Sequence, residues 1–133
     1  MIILLFITFR IVTIIMGKIT CTSDAPNRQL ALNDALELLS GKWKIVLLRS
    51  LYLSGIMRFK DLLESVQGIS PKILSKELQQ LEENLLITRT VNNTKPITVS
   101  YKLTDHANET LPVIHALIEF GLKHRTKIRQ SIF

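Results

Sequence analysis

From residue 29 onward, apolar residues recur every three or four positions in stretches separated by short polar breaks. Gln29 to Ser40 sets Leu32, Ala35, Leu36, Leu38 and Leu39 at helical spacing, and Ser40-Gly41 breaks the run. Lys42 to Leu53 predicts a second amphipathic helix with Trp43, Val46, Leu47 and Leu51 inward. Ser54-Gly55 ends it, and Ile56-Met57-Arg58 reads as extended. Phe59 to Val66 predicts a short helix, and Gln67-Gly68 a turn in which glycine takes positive φ without steric penalty. Ser70 then stands as N-cap with Pro71 at the first helical position, the preferred order for starting a helix, which runs to about Glu83. Residues 85–91, with Thr and Val enriched, predict a strand, Asn92 to Pro96 a turn, and Ile97 to Leu103 the returning partner strand. Thr104 is placed to cap a long last helix, with Asp105 in its first turn. That helix continues through Leu111, Ile114, Leu117, Ile118 and Leu122 to about Arg129, and Pro112 either kinks it or begins its second segment.

Helix, helix, helix, two-faced helix, hairpin and long helix make a mainly α fold with a small β-hairpin. The class is α+β: a winged helix–turn–helix with an added helix at each end, over residues 29–130. The helix opening at Ser70 is the most informative element. Ile73, Leu74, Leu78 and Leu81 fall on one side, while Lys72, Ser75, Lys76 and Gln79 recur at i, i+3, i+4, i+7 on the other. A short, polar, basic stripe on a helix held by an apolar face suits a DNA major groove. Lysine reaches guanine O6 or N7, and glutamine pairs with adenine N6 and N7. Ser70 joins this candidate set at the head of the helix.

Arg58 and Lys60 open the first helix of the motif and are candidate phosphate contacts, as are Lys42 and Lys44, one of which could instead only solvate its helix. Asn92, Asn93, Thr94 and Lys95 would form a wing entering the adjacent minor groove, with Arg89 reaching the backbone from a wing strand. A solvated helix face and an ordinary surface turn would carry similar residues. The preceding turn, the Ser-Pro start and the following hairpin favour DNA.

Composition narrows the choice. With 133 residues, 47% hydrophobic and 21% charged, the chain is globular, with one modest core. A net charge of +6 favours an anionic partner, nucleic acid or an anionic membrane surface. The single cysteine, Cys21, excludes an intrachain disulfide and fits a reducing cytoplasm. His106, His115 and His124 stand nine apart without further ligands at zinc spacing, so no metal or other cofactor is expected. No nucleophile stands beside a base, no carboxylates are usefully paired and no phosphate loop is present, which argues against an enzyme. Glu82-Glu83 and the run Lys123, Arg125, Lys127, Arg129 read as solvated helix ends.

The segment MIILLFITFRIVTIIM, residues 1–16, is nearly all apolar with Arg10 at its middle. It is short for a membrane span of ~20 residues. It also lacks a positive region before its apolar run, as a signal peptide would need. The simplest expectation is an over-extended start, with Met16-Gly17-Lys18 as the ordinary beginning; a membrane anchor and a segment packing in a dimer are the alternatives. Residues 17–28 read as a loose arm. No membrane partner is expected.

Taken together, LLSGKWKIVLLRSL (38–51), RFKDL (58–62), GISPKILSKELQQLEENLLITR (68–89), KPITVSYKLT (95–104) and LPVIHALIEFG (111–121) resemble the HxlR type of winged-helix transcriptional regulators, relatives of the MarR type. The resemblance implies a dimeric regulator that binds double-stranded DNA. Its dimer surface would be the apolar faces of the first and last helices: Leu32, Leu36 and Leu39 with Leu111, Ile114, Leu117 and Ile118, some of which would also close the protomer core. The family often has glycine where Ala107 stands and tryptophan where Phe120 stands, both conservative changes for packing. Several members sense oxidants through a cysteine near the position of Leu30. Cys21 lies about nine residues earlier, which places redox sensing in doubt. The expected function is therefore a sequence-specific regulator. The alternative is a winged-helix module that binds protein or RNA without operator specificity. No feature marks an effector, an operator or the sign of regulation.

Overall fold

The computed structural model describes residues 26–132; the apolar leader, Cys21 and the arm up to residue 25 lie outside them. The described chain runs α1 (Pro26–Leu39), α2 (Lys44–Ser54), β1 (Met57–Arg58), α3 (Phe59–Ser65), α4 (Pro71–Glu83), β2 (Ile87–Asn92), β3 (Thr98–Leu103), a 3-10 turn (His106–Thr110) and α5 (Leu111–Ser131). It gathers into two units, one of residues 35–111 and one of residues 26–34 with 112–132. Among the described residues, no helix is long and apolar enough to cross a membrane.

In the first unit, Leu47, Leu48 and Leu51 of α2, Leu62 of α3, Leu74, Leu78 and Leu81 of α4, and Leu86 and Ile87 are fully buried. Each such side chain contributes roughly 1.5–3 kcal/mol of apolar transfer free energy. The sheet has the order β1-β3-β2, all antiparallel, with Met57 opposite Tyr101 and Ile87 opposite Leu103. Because side chains alternate across a strand, Met57, Ile87 and Tyr101 turn inward. Thr88, Thr90 and Lys102 take the exposed face. The extended segment expected at Ile56-Met57-Arg58 thus becomes an edge strand on the wing.

The second unit holds the start of α1 and nearly all of α5. In it, the Gln29 side-chain amide donates to the Asn33 carbonyl oxygen at 3.0 Å, and the Phe120 and His124 rings stack with centroids 5.9 Å apart.

Several expectations change. Helix α1 begins at Pro26, so residues 26–28 belong to a helix and not to a loose arm. These residues are polar and leave no periodic signal, but Pro26 at the head loses no hydrogen bond there. Val46 is 42% exposed, and Leu48 takes the inward place assigned to it. Trp43 precedes α2 and is half-buried. Thr104 does cap a helical segment, its hydroxyl accepting from the Ala107 N–H at 3.2 Å, but that segment is the 3-10 turn. Helix α5 starts at Leu111, and Pro112 sits in its first turn, where a proline is tolerated. Ile114, assigned to a dimer face, is only 3% exposed within the protomer and serves its packing.

Candidate nucleic-acid interface

The site is built around α4. Gly68 takes φ +86° in the turn before it, as expected of that glycine. A Cβ built there would lie 3.8 Å from Trp43 Cη2, so the indole packs against the turn. Ser70 is extended at φ −82°, ψ 154°, and its hydroxyl accepts the Ile73 N–H at 3.2 Å, with Pro71 opening the helix. Leu74, Leu78 and Leu81 bury one face. Lys72, Ser75, Lys76 and Gln79 are all exposed, so the polar stripe points away from the unit's core. The Gln79 amide donates one N–H to the Glu83 carboxylate one turn on at 3.0 Å; its second N–H and its carbonyl oxygen are not engaged in that bond.

Two of the sequence assignments on and beside this helix fail. Ile73, expected inward, is 40% exposed. It stands about 100° round the helix from both Lys72 and Leu74, so it lies on the flank. An apolar group there matches the thymine methyl. Lys44, expected at a phosphate, is buried instead. Its ammonium lies 2.8 Å from Glu77 Oε2, and the two side chains are 10% and 14% exposed. The contact is an ion pair and not an aligned hydrogen bond. A lysine so enclosed is withdrawn from solvent phosphates. Its neighbour Lys42 is exposed, with its ammonium 4.5 Å over the Trp43 ring, a cation–π contact that holds the charge near the turn.

Arg58 and Lys60 are exposed at the head of α3. The Asp61 carboxylate accepts the Arg58 backbone N–H at 3.2 Å and fixes that end. Arg58 lines a groove of about 550 Å³ along the exposed sheet face, with Asp61, Thr88, Thr90, Ser100 and Lys102. Lys60 meets Glu64 only at 3.8 Å on the open surface, a pair that contributes little. In the wing, Asn92 donates to Thr98 Oγ1 at 3.2 Å and to Ser100 Oγ at 3.3 Å. Thr94 Oγ1 donates to the Pro96 carbonyl at 2.8 Å. These bonds tie the tip from within and leave Asn93 and Lys95 exposed at its end, with Arg89 exposed on β2. Lys102, which the sequence analysis did not single out, is exposed on the wing as well. Strand alternation pointed to Lys102, which pairs with Thr88 and shares its exposed face.

A capped helix set on a turn and a short helix, followed by a three-stranded wing, defines a winged helix–turn–helix. Residues 38–129 match the model of the HxlR-like helix-turn-helix family. The chain is 35% identical over 109 residues to an HTH-type transcriptional regulator of Halalkalibacterium halodurans, covering 82% of this chain and 92% of that one. A solved MarR-family regulator of Enterococcus faecalis superposes with a TM-score of 0.67 at 26% identity, covering 86% of this chain and 99% of that one. The reduced form of the transcriptional regulator YodB from Bacillus subtilis superposes with a TM-score of 0.61 at 28% identity, covering 73% and 90%. The chain belongs to the HxlR-like helix-turn-helix family. That membership makes it a transcriptional regulator of the winged-helix class and not an enzyme.

Proposed function

We propose that the protein is a sequence-specific, homodimeric DNA-binding regulator. It presents α4 to the major groove of each of two half-sites and rests the β2–β3 wing on the flanking backbone or in the minor groove. The observation that carries this reading is the exposed row Lys72, Ser75, Lys76 and Gln79 on a helix whose opposite face buries three leucines. Lysine and glutamine tips at that spacing meet base edges. Lys42, Arg58, Lys60, Ser70, Arg89, Asn93 and Lys95, all exposed, supply the phosphate and sugar contacts that set register. A duplex partner places the protein in the cytoplasm with its DNA.

The dimer is supported by apolar stripes left bare on the outer helices. Leu32 and Leu36 of α1 are 52% and 62% exposed, and Leu117 and Ile118 of α5 are 47% and 40% exposed. Leu39 and Leu111, assigned to the same interface, are half-buried. A two-fold dimer would set two recognition helices ~34 Å apart, matching a palindromic operator.

The test is selection of retained duplexes from a random-sequence library, followed by affinity measured across salt concentrations. Enrichment of a palindromic motif and a log–log salt slope of several units are expected. No enrichment and a flat salt response would overturn the reading in favour of a protein- or RNA-binding module.

A further inference from the structure

We propose that Lys44 and Glu77 form a positioning clamp that fixes the rotation of α4 against the start of α2, and that base preference depends on this clamp. The proposal rests on the DNA-binding reading above.

Lys44 is the first residue of α2 and Glu77 lies in the middle of α4, so one ion pair 2.8 Å long joins the scaffold helix to the reading helix. Both side chains are nearly enclosed, at 10% and 14% exposure. Glu77 stands between Lys76, which faces outward, and Leu78, which is buried. It therefore marks the boundary between the reading face and the packed face. Glu77 Oε2 has no hydrogen-bond partner among the described residues, so the Lys44 ammonium is what balances its charge.

Leucine packing by itself tolerates small rotations, because apolar attraction is non-directional. A rotation of about 20° moves a side-chain tip ~5–6 Å from the helix axis by ~2 Å. That is enough to break a base-edge hydrogen bond. A charge pair anchored at one point resists such a slide. The residue beside Lys44 acts on the same helix at its start: Trp43 packs its indole on Gly68, in the turn that leads into α4. Adjacent residues of one helix end thus hold the reading helix at its entry and at its middle. Without Lys44, the enclosed Glu77 is left uncompensated; it would turn to solvent and take α4 with it.

The experiment uses the full chain and two probes: the duplex that the wild-type protein enriches from a random library, and the same duplex with one base pair of the motif changed. Lys44→Met, Glu77→Gln and the exchange Lys44→Glu with Glu77→Lys are compared, with circular dichroism reporting folding. Each single variant is expected to lower the ratio of the two affinities roughly 2- to 30-fold. The salt slope is expected to stay unchanged, because neither side chain meets a phosphate; loss of a phosphate contact would lower it by about one unit. The exchange variant is expected to regain part of the ratio. An unchanged ratio in Lys44→Met, a slope lower by about one, or an exchange variant no better than the single variants would each overturn the clamp. Should the single variants unfold, the exchange variant decides by whether it folds and keeps the ratio. A wild-type protein that enriches no duplex overturns the DNA-binding reading and the clamp together. One that enriches a duplex which the variants read equally well overturns the clamp alone.

Discussion

Leu85 holds φ +61°, the left-handed region, just past the end of α4. Its N–H donates to the Glu82 carbonyl at 3.0 Å, and the Leu86 N–H donates to the Leu81 carbonyl at 3.0 Å, the pair of bonds of a Schellman motif. The Leu85 carbonyl accepts from the Thr104 hydroxyl at 2.6 Å, which pins the backbone in that shape. A leucine there costs about 1–2 kcal/mol of steric strain, and its side chain is 69% exposed, so packing returns little. Glycine removes the strain but adds about 0.4–1 kcal/mol of unfolded-state entropy. Leu85→Gly is therefore expected to stabilise the fold by roughly 0.5–1 kcal/mol, read as a higher Tm by circular dichroism. A lower Tm would mean that the exposed leucine packs better than its exposure suggests. At the other end of α4, Ser70→Ala removes the acceptor of the Ile73 N–H and is expected to lower stability by about 1 kcal/mol in urea unfolding, with the m-value unchanged.

The elements differ in how much of them local sequence determines. Helix α4 was legible because Gly68, Ser70 and Pro71 each act through their own backbone chemistry, and because its three buried leucines and its polar row lie on opposite sides. The hairpin was legible through alternation and a polar turn. Lys44 was not, because the fate of a lysine depends on what faces it, and Glu77 comes from a distant stretch of the chain. The two residues of β1 gave only an extended segment, since their pairing with Tyr101 and Ser100 is non-local. Ile73 lies on a flank that a two-sided wheel cannot resolve. For α4 and the wing, the proposed division of labour makes a contrast. Lys76→Ala and Gln79→Ala are each expected to shift discrimination by ~1–3 kcal/mol at one base position. Lys95→Ala is expected to weaken binding evenly across sequences and to lower the salt slope by about one. Competition binding against duplexes changed one base pair at a time separates the two patterns. A Lys76→Ala protein with untouched preference would remove α4 from the groove.

At the scale of the molecule, the question is what covers the outer helices. Leu32 and Leu36 stand one turn apart on α1, and Val113, Leu117 and Phe120 recur at i, i+4, i+7 on α5 with exposures of 43%, 47% and 68%. Monomeric proteins rarely leave apolar rows of this kind to water, and the proposed homodimer would cover them with the matching rows of a second copy under two-fold symmetry. Phe120 belongs to this row, its bulk lying outside the core. Because these side chains are exposed in the protomer, replacing them leaves folding within about 0.5 kcal/mol of the wild type. Leu36→Asp and Leu117→Asp are each expected to yield folded monomers, read as a halved mass by light scattering during size-exclusion chromatography. A lone protomer engages one half-site, so affinity for the two-site duplex is expected to fall on the order of 100-fold or more as the second site's effective concentration is lost. Binding to a duplex carrying one half-site should change little. A protein that stays dimeric with aspartate at both positions would show that these stripes are not the interface, and the spacing of two recognition helices would then have to come from elsewhere in the chain.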